Sequence, residues 1–390
     1  MSLIEKRIFG IILAVCLFLY VAHYLVVGNM VWGDGRYYYS YTRSWVIDQD
    51  IDFTNESQTQ PLFFNSIVTP AGKLLNKYSI GTPILWLPWF GLAHLISLGL
   101  SIVSRIPADG YHHLYRVFVG LGSVFYGWLG IFLAYKTARK ITNKSSALLA
   151  TTTIFLTTNL IFYTGIDPVN SHPAGIFISS WLIYLLVGNS TKLSLKQFFG
   201  LSCLAGLIAL IRPQDAIFIL PLLLIAIKNN LKSFIASLVG FGVVFSLQLL
   251  TWLIMIGSIT NPYSLLGEGF NWLNPQIIKV WFSSNNGVFY YSPILLISIW
   301  GWLKNIKLNK WYGYGLGLFL IQSYIVGSWH GWWGGASYGA RMFLSLTVFF
   351  IIGLAGWLKE YKVKTKYVFV VTTILLILNI LQITKLLLSN

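Results

Sequence analysis

The sequence predicts an all-α protein that crosses a membrane many times. Hydrophobic residues make up 56% of the chain and charged residues only 10%, whereas a soluble domain has about 25% charged residues. Apolar stretches that are long enough for membrane-spanning helices follow one another along the whole chain. Since no long polar block separates them, we expect residues 1–390 to form a single integral-membrane domain.

The apolar stretches predict eleven membrane spans. The first follows Lys6 and Arg7, is longer than the apolar core of a signal peptide, and has no small-x-small cleavage site after it. We therefore expect it to be retained as a span. The spans are predicted near residues 8–28, 114–135, 146–164, 174–188, 198–211, 214–228, 233–256, 291–304, 312–327, 342–358 and 367–388.

Residues 83–104 are also apolar enough to cross the membrane, which would raise the count to twelve. A crossing here would move the basic run at 136–144 to the outer side. Pro83, Pro88, Trp86 and Trp89 are typical of a membrane interface. We therefore expect an interfacial or half-inserted helix on the outer face.

The distribution of charge orients the chain. With the N-terminus in the cytoplasm, 17 of the 27 basic residues lie on the inner side, but only two of the 11 acidic residues do. This bias follows the positive-inside rule, and it explains the net charge of +16 without nucleic-acid binding. The predicted topology leaves two large outer loops, 29–113 and 257–290, where we expect the functional residues.

The first outer loop concentrates acidic residues. Asp34 opens a predicted amphipathic helix that reaches about Ile47 and carries Tyr38 on one face. Its carboxylate could cap that helix, or it could act as a general base or metal ligand. Asp48, Asp50 and Asp52 alternate, which fits either a solvated turn or a divalent-cation site. Glu56 completes a group of five carboxylates within 23 residues.

Other charged residues occur at predicted outer helix ends. Lys77 precedes the interfacial helix, where it could bind a lipid phosphate or extend to the membrane surface. Asp167 and His172 lie five residues apart and fit either helix capping or a functional role. Arg212 at the end of a span requires an anion, which could be Asp215 or a phosphate.

Two outer stretches, 281–293 and 328–341, combine aromatic residues, glycines and small polar groups. A membrane-interface belt explains part of this composition. Aromatic faces next to amide and hydroxyl groups also suit a sugar. The candidates for binding a sugar or an acceptor are Tyr38, Glu268, Asn286, Tyr290, His330 and Trp332.

These motifs resemble the GT-C superfamily of integral-membrane glycosyltransferases, in particular the branch of aminoarabinose and protein mannosyltransferases. The resemblance implies that Asp34, in Gly33-Asp34-Gly35-Arg36-Tyr37-Tyr38, is the essential acid of the first outer loop. Many members have a second acid next to it, and this chain has Gly35 there. The resemblance also implies that Asp167 of Asp167-Pro168 assists catalysis. Lys77 and Arg341 would bind the donor phosphate, together with Arg212 and His172.

The resemblance implies transfer of a sugar from a polyprenyl-phosphate donor to a lipid, glycan or protein acceptor. The expected site lies on the outer face of a bacterial cytoplasmic membrane. A divalent metal ion is a candidate cofactor, with Asp34 and Asp167 as its ligands, and no nucleotide cofactor is expected. The alternative function is transport or flipping of lipid-linked sugars. A transporter would require charged residues along a path through the membrane, whereas here the polar groups gather at one face.

Overall fold

The computed structural model describes residues 2–59, 67–104, 106–189 and 193–389. Within these ranges the chain is helical, and its β-structure consists of isolated bridges. The predicted all-α fold is therefore confirmed. The helices are α1 (Leu3–Val27), α2 (Gly35–Arg43), α3 (Thr54–Thr59), α4 (Gly81–Ser104), α5 (His113–Ile141), α6 (Lys144–Thr157), α7 (Ser171–Asn189), α8 (Leu195–Ile211), α9 (Leu220–Asn229), α10 (Leu231–Ile256), α11 (Pro262–Leu265), α12 (Ile277–Phe282), α13 (Val288–Tyr291), α14 (Ile294–Asn305), α15 (Lys310–Ser328), α16 (Thr347–Glu360) and α17 (Thr365–Ser389).

Seven helical segments in the described ranges are long and apolar enough to cross a membrane. They are Leu3–Val27, Gly81–Ser104, His113–Ile141, Ser171–Gly188, Leu231–Ile256, Arg341–Glu360 and Thr365–Leu388. Other predicted spans are shorter or interrupted. The stretch 146–164 divides, because α6 ends at Thr157 and a π-helical turn follows at Phe162–Ile166. The stretch 214–228 begins as a 3₁₀-helix, Pro213–Ile219.

Helix α5 is the longest helix in the described ranges, with 29 residues. It runs beside α7 in the same direction, with Gly127 against Thr164 and Pro173, and Gly130 against the backbone of Ile176. Glycines at these positions allow close approach of the helices. Fourteen residues of α5 precede Gly127, so α5 extends about 20 Å beyond the start of α7.

Helices α1 and α4 cover this extension of α5. Tyr20 of α1 donates a hydrogen bond from its hydroxyl to the carbonyl of Arg116 (3.2 Å). Trp86 of α4 donates to the hydroxyl of Ser123 (2.8 Å). Helix α4 starts at the level of Ile211, because Gly81 packs directly against the backbone there. It therefore runs along the N-terminal half of α5, and its half-inserted position at the outer face of the membrane stays a prediction.

Candidate active site

A cavity of about 850 Å³ lies where the two predicted outer loops, 29–113 and 257–290, meet the ends of α8 and α15. Its wall combines polar or charged residues with apolar ones. The polar and charged lining residues include Asp34, Tyr38, Lys77, Tyr78, Arg212, Gln214, Glu268, His330 and Arg341. The apolar lining residues include Ile217, Trp252, Leu266, Phe270, Trp272, Ile325, Val326, Trp329 and Trp333.

Asp34 occupies the turn before α2, with its carboxylate directed to the cavity wall. The side chain makes no cap hydrogen bond to α2, so the capping interpretation is wrong. Instead, Tyr78 donates a hydrogen bond to Oδ1 (2.7 Å). Arg341 forms an ion pair with Oδ2 (2.6 Å), and the Asp34 side chain remains 28% exposed. The carboxylate is therefore fixed at both oxygens and still accessible.

Gly35 sets the position of Asp34. A Cβ atom at residue 35 would lie 2.0 Å from the carbonyl oxygen of Val169, far inside van der Waals contact. This close packing brings the start of α2 against the turn at 167–170. It also explains the missing second acid, since no side chain fits at residue 35 without displacing α2.

The pKa values of the two predicted catalytic acids shift in opposite directions. Burial would raise the pKa of Asp34, but the charge of Arg341 and the hydrogen bond from Tyr78 outweigh it and lower the pKa. For Asp167, burial raises the pKa well above its usual value despite the charge of Arg341. The Asp167 Oδ1 atom is buried and has no hydrogen-bond partner among the described residues. Asp167 does not line the cavity.

Lys77, Arg212 and Arg341 give the cavity wall its positive charge. The Lys77 amine lies 2.5 Å from the Glu268 carboxylate. Arg212 is 3.9 Å from Asp215. Among the described lining residues these three cations face two carboxylates, Asp34 and Glu268. The excess positive charge suits an anionic ligand.

His172 supports the cavity from behind. Its Nδ1 atom accepts a hydrogen bond from the Arg212 guanidinium (2.8 Å). The same guanidinium nitrogen donates to the hydroxyl of Ser171 (3.1 Å). His172 does not line the cavity, so it reaches a ligand only through Arg212.

Of the predicted sugar or acceptor residues, Tyr38, Glu268 and His330 line the cavity. Asn286, Tyr290 and Trp332 do not. The Asn286 amide donates to the carbonyls of Trp333 (2.9 Å) and Gly335 (3.2 Å), so it holds the loop at 333–339 in place. Tyr290 is half exposed.

The sequence did not single out Tyr78, which donates to Asp34. The signal that could have indicated Tyr78 is its position directly after Lys77, a predicted phosphate-binding residue. The aromatic wall residues Trp329 and Trp333 were also missed as cavity residues. They belong to the 328–341 stretch, whose composition indicated a site without indicating which rings face it.

The remaining acids of the first outer loop stabilise the loop itself. The Arg43 guanidinium lies 2.5 Å from Asp48 and 2.8 Å from Glu56. Asp50 accepts a hydrogen bond from Ser44, and Asp52 accepts one from Thr54 (2.6 Å each). None of these acids lines the cavity. Burial raises the pKa of Glu56 to about 7, although Arg43 opposes the shift.

Comparison with known proteins supports the predicted resemblance. Residues 116–254 match the family model of dolichyl-phosphate-mannose-protein mannosyltransferases. An Archaeoglobus fulgidus oligosaccharyltransferase solved with Zn and sulfate is 12% identical, with a TM-score of 0.50 over 95% of this chain and 52% of that chain. The archaeal oligosaccharyltransferase AglB of the same organism, solved with an inhibitory peptide and a dolichol-phosphate, is also 12% identical, with a TM-score of 0.51 over 99% of this chain and 56% of that chain.

The chain thus spans about half the length of these two structures. At this identity the likeness shows the fold alone. No curated protein sequence matches the chain. The family model and the shared fold together confirm the resemblance to the GT-C superfamily and the assignment as an integral-membrane protein.

The residues around Asp34 do not fit a divalent metal ion. Among the described residues, no three His, Cys, Asp or Glu side chains are grouped closely enough to hold one. Tyr78 and Arg341 already occupy the two oxygens of Asp34, and Arg212 occupies Nδ1 of His172. Zinc requires three or four ligands that are free to coordinate, and of the two predicted ligands, Asp34 and Asp167, only Asp167 has a buried oxygen without a hydrogen-bond partner among the described residues.

Proposed function

We propose that this protein is a glycosyltransferase that moves a sugar from a polyprenyl-phosphate donor to an acceptor hydroxyl, with inversion, at the outer face of the membrane. The observation that carries the proposal is the convergence of Asp34 with Lys77, Arg212 and Arg341 on one cavity. A carboxylate base beside several cations suits the transfer of a group away from a phosphate. The match to a mannosyltransferase family model supports the same chemistry.

The charged wall would hold the donor phosphate. Lys77, Arg212 and Arg341 all line the cavity, and Arg341 lies beside Asp34. Their positive charge stabilises the phosphate as it gains negative charge on leaving the sugar. The apolar wall, which includes Trp252, Ile325 and Val326, suits the isoprenoid chain. The AglB structure that shares this fold contains a dolichol-phosphate.

Asp34 would act as the general base. It takes the proton of the acceptor hydroxyl, whose oxygen then attacks the anomeric carbon. The bond between that carbon and the phosphate oxygen breaks, and the phosphate keeps the electron pair. Tyr78 and Arg341 hold the carboxylate in position for this step. Asp34 lines the cavity and Asp167 does not, so Asp34 is the acid that can reach the acceptor.

The decisive experiment measures sugar transfer by the purified protein in nanodiscs. A panel of polyprenyl-phosphate sugars is offered with membrane extract as the acceptor source. Asp34→Asn should lower turnover by about 10²- to 10⁴-fold while leaving the protein folded. Asp52→Asn is the matched control, since Asp52 is in the same loop but does not line the cavity.

Normal turnover by a folded Asp34→Asn variant would remove Asp34 from the role of base. A donor that is bound and moved across a vesicle membrane, but never consumed, would favour the flippase alternative. Consumption of one donor by the wild type and not by Asp34→Asn would identify the sugar and support the proposal.

A further inference from the structure

Two contacts, one to Asp34 and one to Gly334, hold the Arg341 side chain in place in the candidate site. Its side chain is 15% exposed, and one terminal nitrogen lies 2.6 Å from the Asp34 carboxylate. The other terminal nitrogen donates a hydrogen bond to the carbonyl of Gly334 (2.9 Å). Gly334 has a positive φ of 74°, a conformation that glycine adopts without strain. The loop is therefore shaped to hold the guanidinium against Asp34.

The charge of Arg341 also reaches the second acid. The Nε atom of Arg341 and the Oδ1 atom of Asp167 are both buried, and neither has a hydrogen-bond partner among the described residues. The charge of Arg341 opposes the rise in the pKa of Asp167 that burial causes. Of the two carboxylates that the sequence had suggested as metal ligands, Arg341 thus pairs directly with Asp34.

A divalent ion at this position would meet strong opposition. It would have to displace Arg341 from Asp34, and the positive charge of Arg212, which lines the same cavity, would repel it. The Nδ1 atom of His172 accepts a hydrogen bond from Arg212, and the imidazole does not line the cavity.

We infer that the Arg341 guanidinium is the resident cation of this site, that it takes the position a divalent metal would occupy beside Asp34, and that the protein binds no metal ion there. A guanidinium can hold the carboxylate through one nitrogen and present other N–H groups to a phosphate. Arg341 would therefore link the base to the leaving phosphate without an exchangeable ion. That catalytic role rests on the proposed function, whereas the replacement of a metal does not.

The test is Mn²⁺ binding to the full chain in nanodiscs, followed by the electron paramagnetic resonance signal of free Mn²⁺. The wild type and Arg341→Lys, which keeps the positive charge, should show no stoichiometric binding. Arg341→Gln removes the positive charge beside Asp34 and should bind Mn²⁺ tighter than the wild type by about tenfold or more. A second change, Asp34→Asn, should abolish that gain.

Two results would overturn the inference. One is stoichiometric Mn²⁺ or Zn²⁺ in the wild type that Asp34→Asn removes. The other is a folded Arg341→Gln variant, eluting as the wild type does on size exclusion, that gains no affinity for Mn²⁺. If Arg341→Gln does not fold, the measurement of metal binding by the wild type still tests the inference.

The metal measurement is independent of catalysis. A donor panel without turnover would count against the proposed transferase while the Mn²⁺ result still stood. Conversely, sugar transfer that is lost on chelation and restored by a divalent ion would overturn the inference and leave the transferase proposal intact.

Discussion

Glu268 forms an ion pair with Lys77, a cation that is proposed to bind the donor phosphate. Glu268→Gln should therefore tighten phosphate binding. The Lys77 amine and the Glu268 carboxylate lie 2.5 Å apart, with side chains 23% and 21% exposed. The pair joins the first outer loop to the second within the cavity wall. A phosphate that approaches Lys77 must displace Glu268 or bind beside its negative charge.

The size of the effect follows from the exposure of this pair. A solvent-screened ion pair is worth about 0.5–1 kcal/mol. Direct repulsion between Glu268 and a phosphate about 6 Å away, at an effective dielectric constant of about 20, sets an upper bound of about 3 kcal/mol. Since the pair is partly exposed, we expect the lower part of this range. The dissociation constant of a polyprenyl phosphate should therefore fall by about 3- to 10-fold.

The assay measures binding of a sugar-free polyprenyl phosphate through quenching of tryptophan fluorescence, since Trp329 and Trp333 line the cavity. Glu268→Gln, Lys77→Gln and the double variant form a double-mutant cycle that isolates the coupling of the pair. Glu360→Gln, at the far end of α16, is the control for loss of a carboxylate. Weaker or unchanged phosphate binding by Glu268→Gln would refute the reasoning.

The same variant tests the role that the sequence predicted for Glu268 in sugar or acceptor binding. If Glu268 also contacts the sugar, Glu268→Gln should bind the sugar-free phosphate more tightly and yet transfer the sugar more slowly. Tighter binding with unchanged or faster transfer would restrict Glu268 to the control of Lys77.

Two further predictions concern packing and pH. Gly35→Ala should lower both sugar transfer and the thermal midpoint, because its Cβ would meet the carbonyl of Val169 at 2.0 Å. The free energy of unfolding should fall by about 1–3 kcal/mol. Gly91→Ala is the helical control: its Cβ would meet nothing within 4 Å, so the change should be neutral or slightly stabilising. Burial raises the pKa of Glu56 from 4.5 to about 7, although Arg43 opposes the shift. Between these pH values the folded protein therefore binds more protons than the unfolded chain. Its stability should fall as the pH rises through this range. Thermal midpoints of the wild type and Glu56→Gln across this range check the slope, and parallel curves would contradict it.

The sequence predicted the charged half of the site because of where the helices end. Asp34, Lys77, Arg212 and Arg341 are far apart in the chain, but each lies at a predicted outer helix end. In a helical membrane protein these ends meet at one level, so the residues could be grouped without knowledge of the packing. Their partners could not be predicted, because the pair between Lys77 and Glu268 depends on how two long loops fold over each other.

Aromatic residues were harder to assign. Asn286 and Trp332 lie in stretches whose composition fits a sugar site, but Asn286 bonds to the backbone of the neighbouring loop and neither residue lines the cavity. Trp329, in the same stretch as Trp332, does line it. Irregular loops have no fixed periodicity that would show which of their side chains share a face. Composition therefore located the stretch and could not select the residue.

For the proposed polyprenyl-phosphate donor, we expect entry into the cavity from the side. A short segment of the chain connects the end of α1 to Asp34. Asp34 packs at the level of Val169, near the start of α7. Helix α5 continues about 20 Å beyond that level. On the helices around this extension, Leu25, Val26 and Leu95 face outward with exposures of 75%, 86% and 68%. Such a surface is stable in lipid, so the proposed polyprenyl chain can stay in the bilayer while its phosphate reaches the cations of the wall.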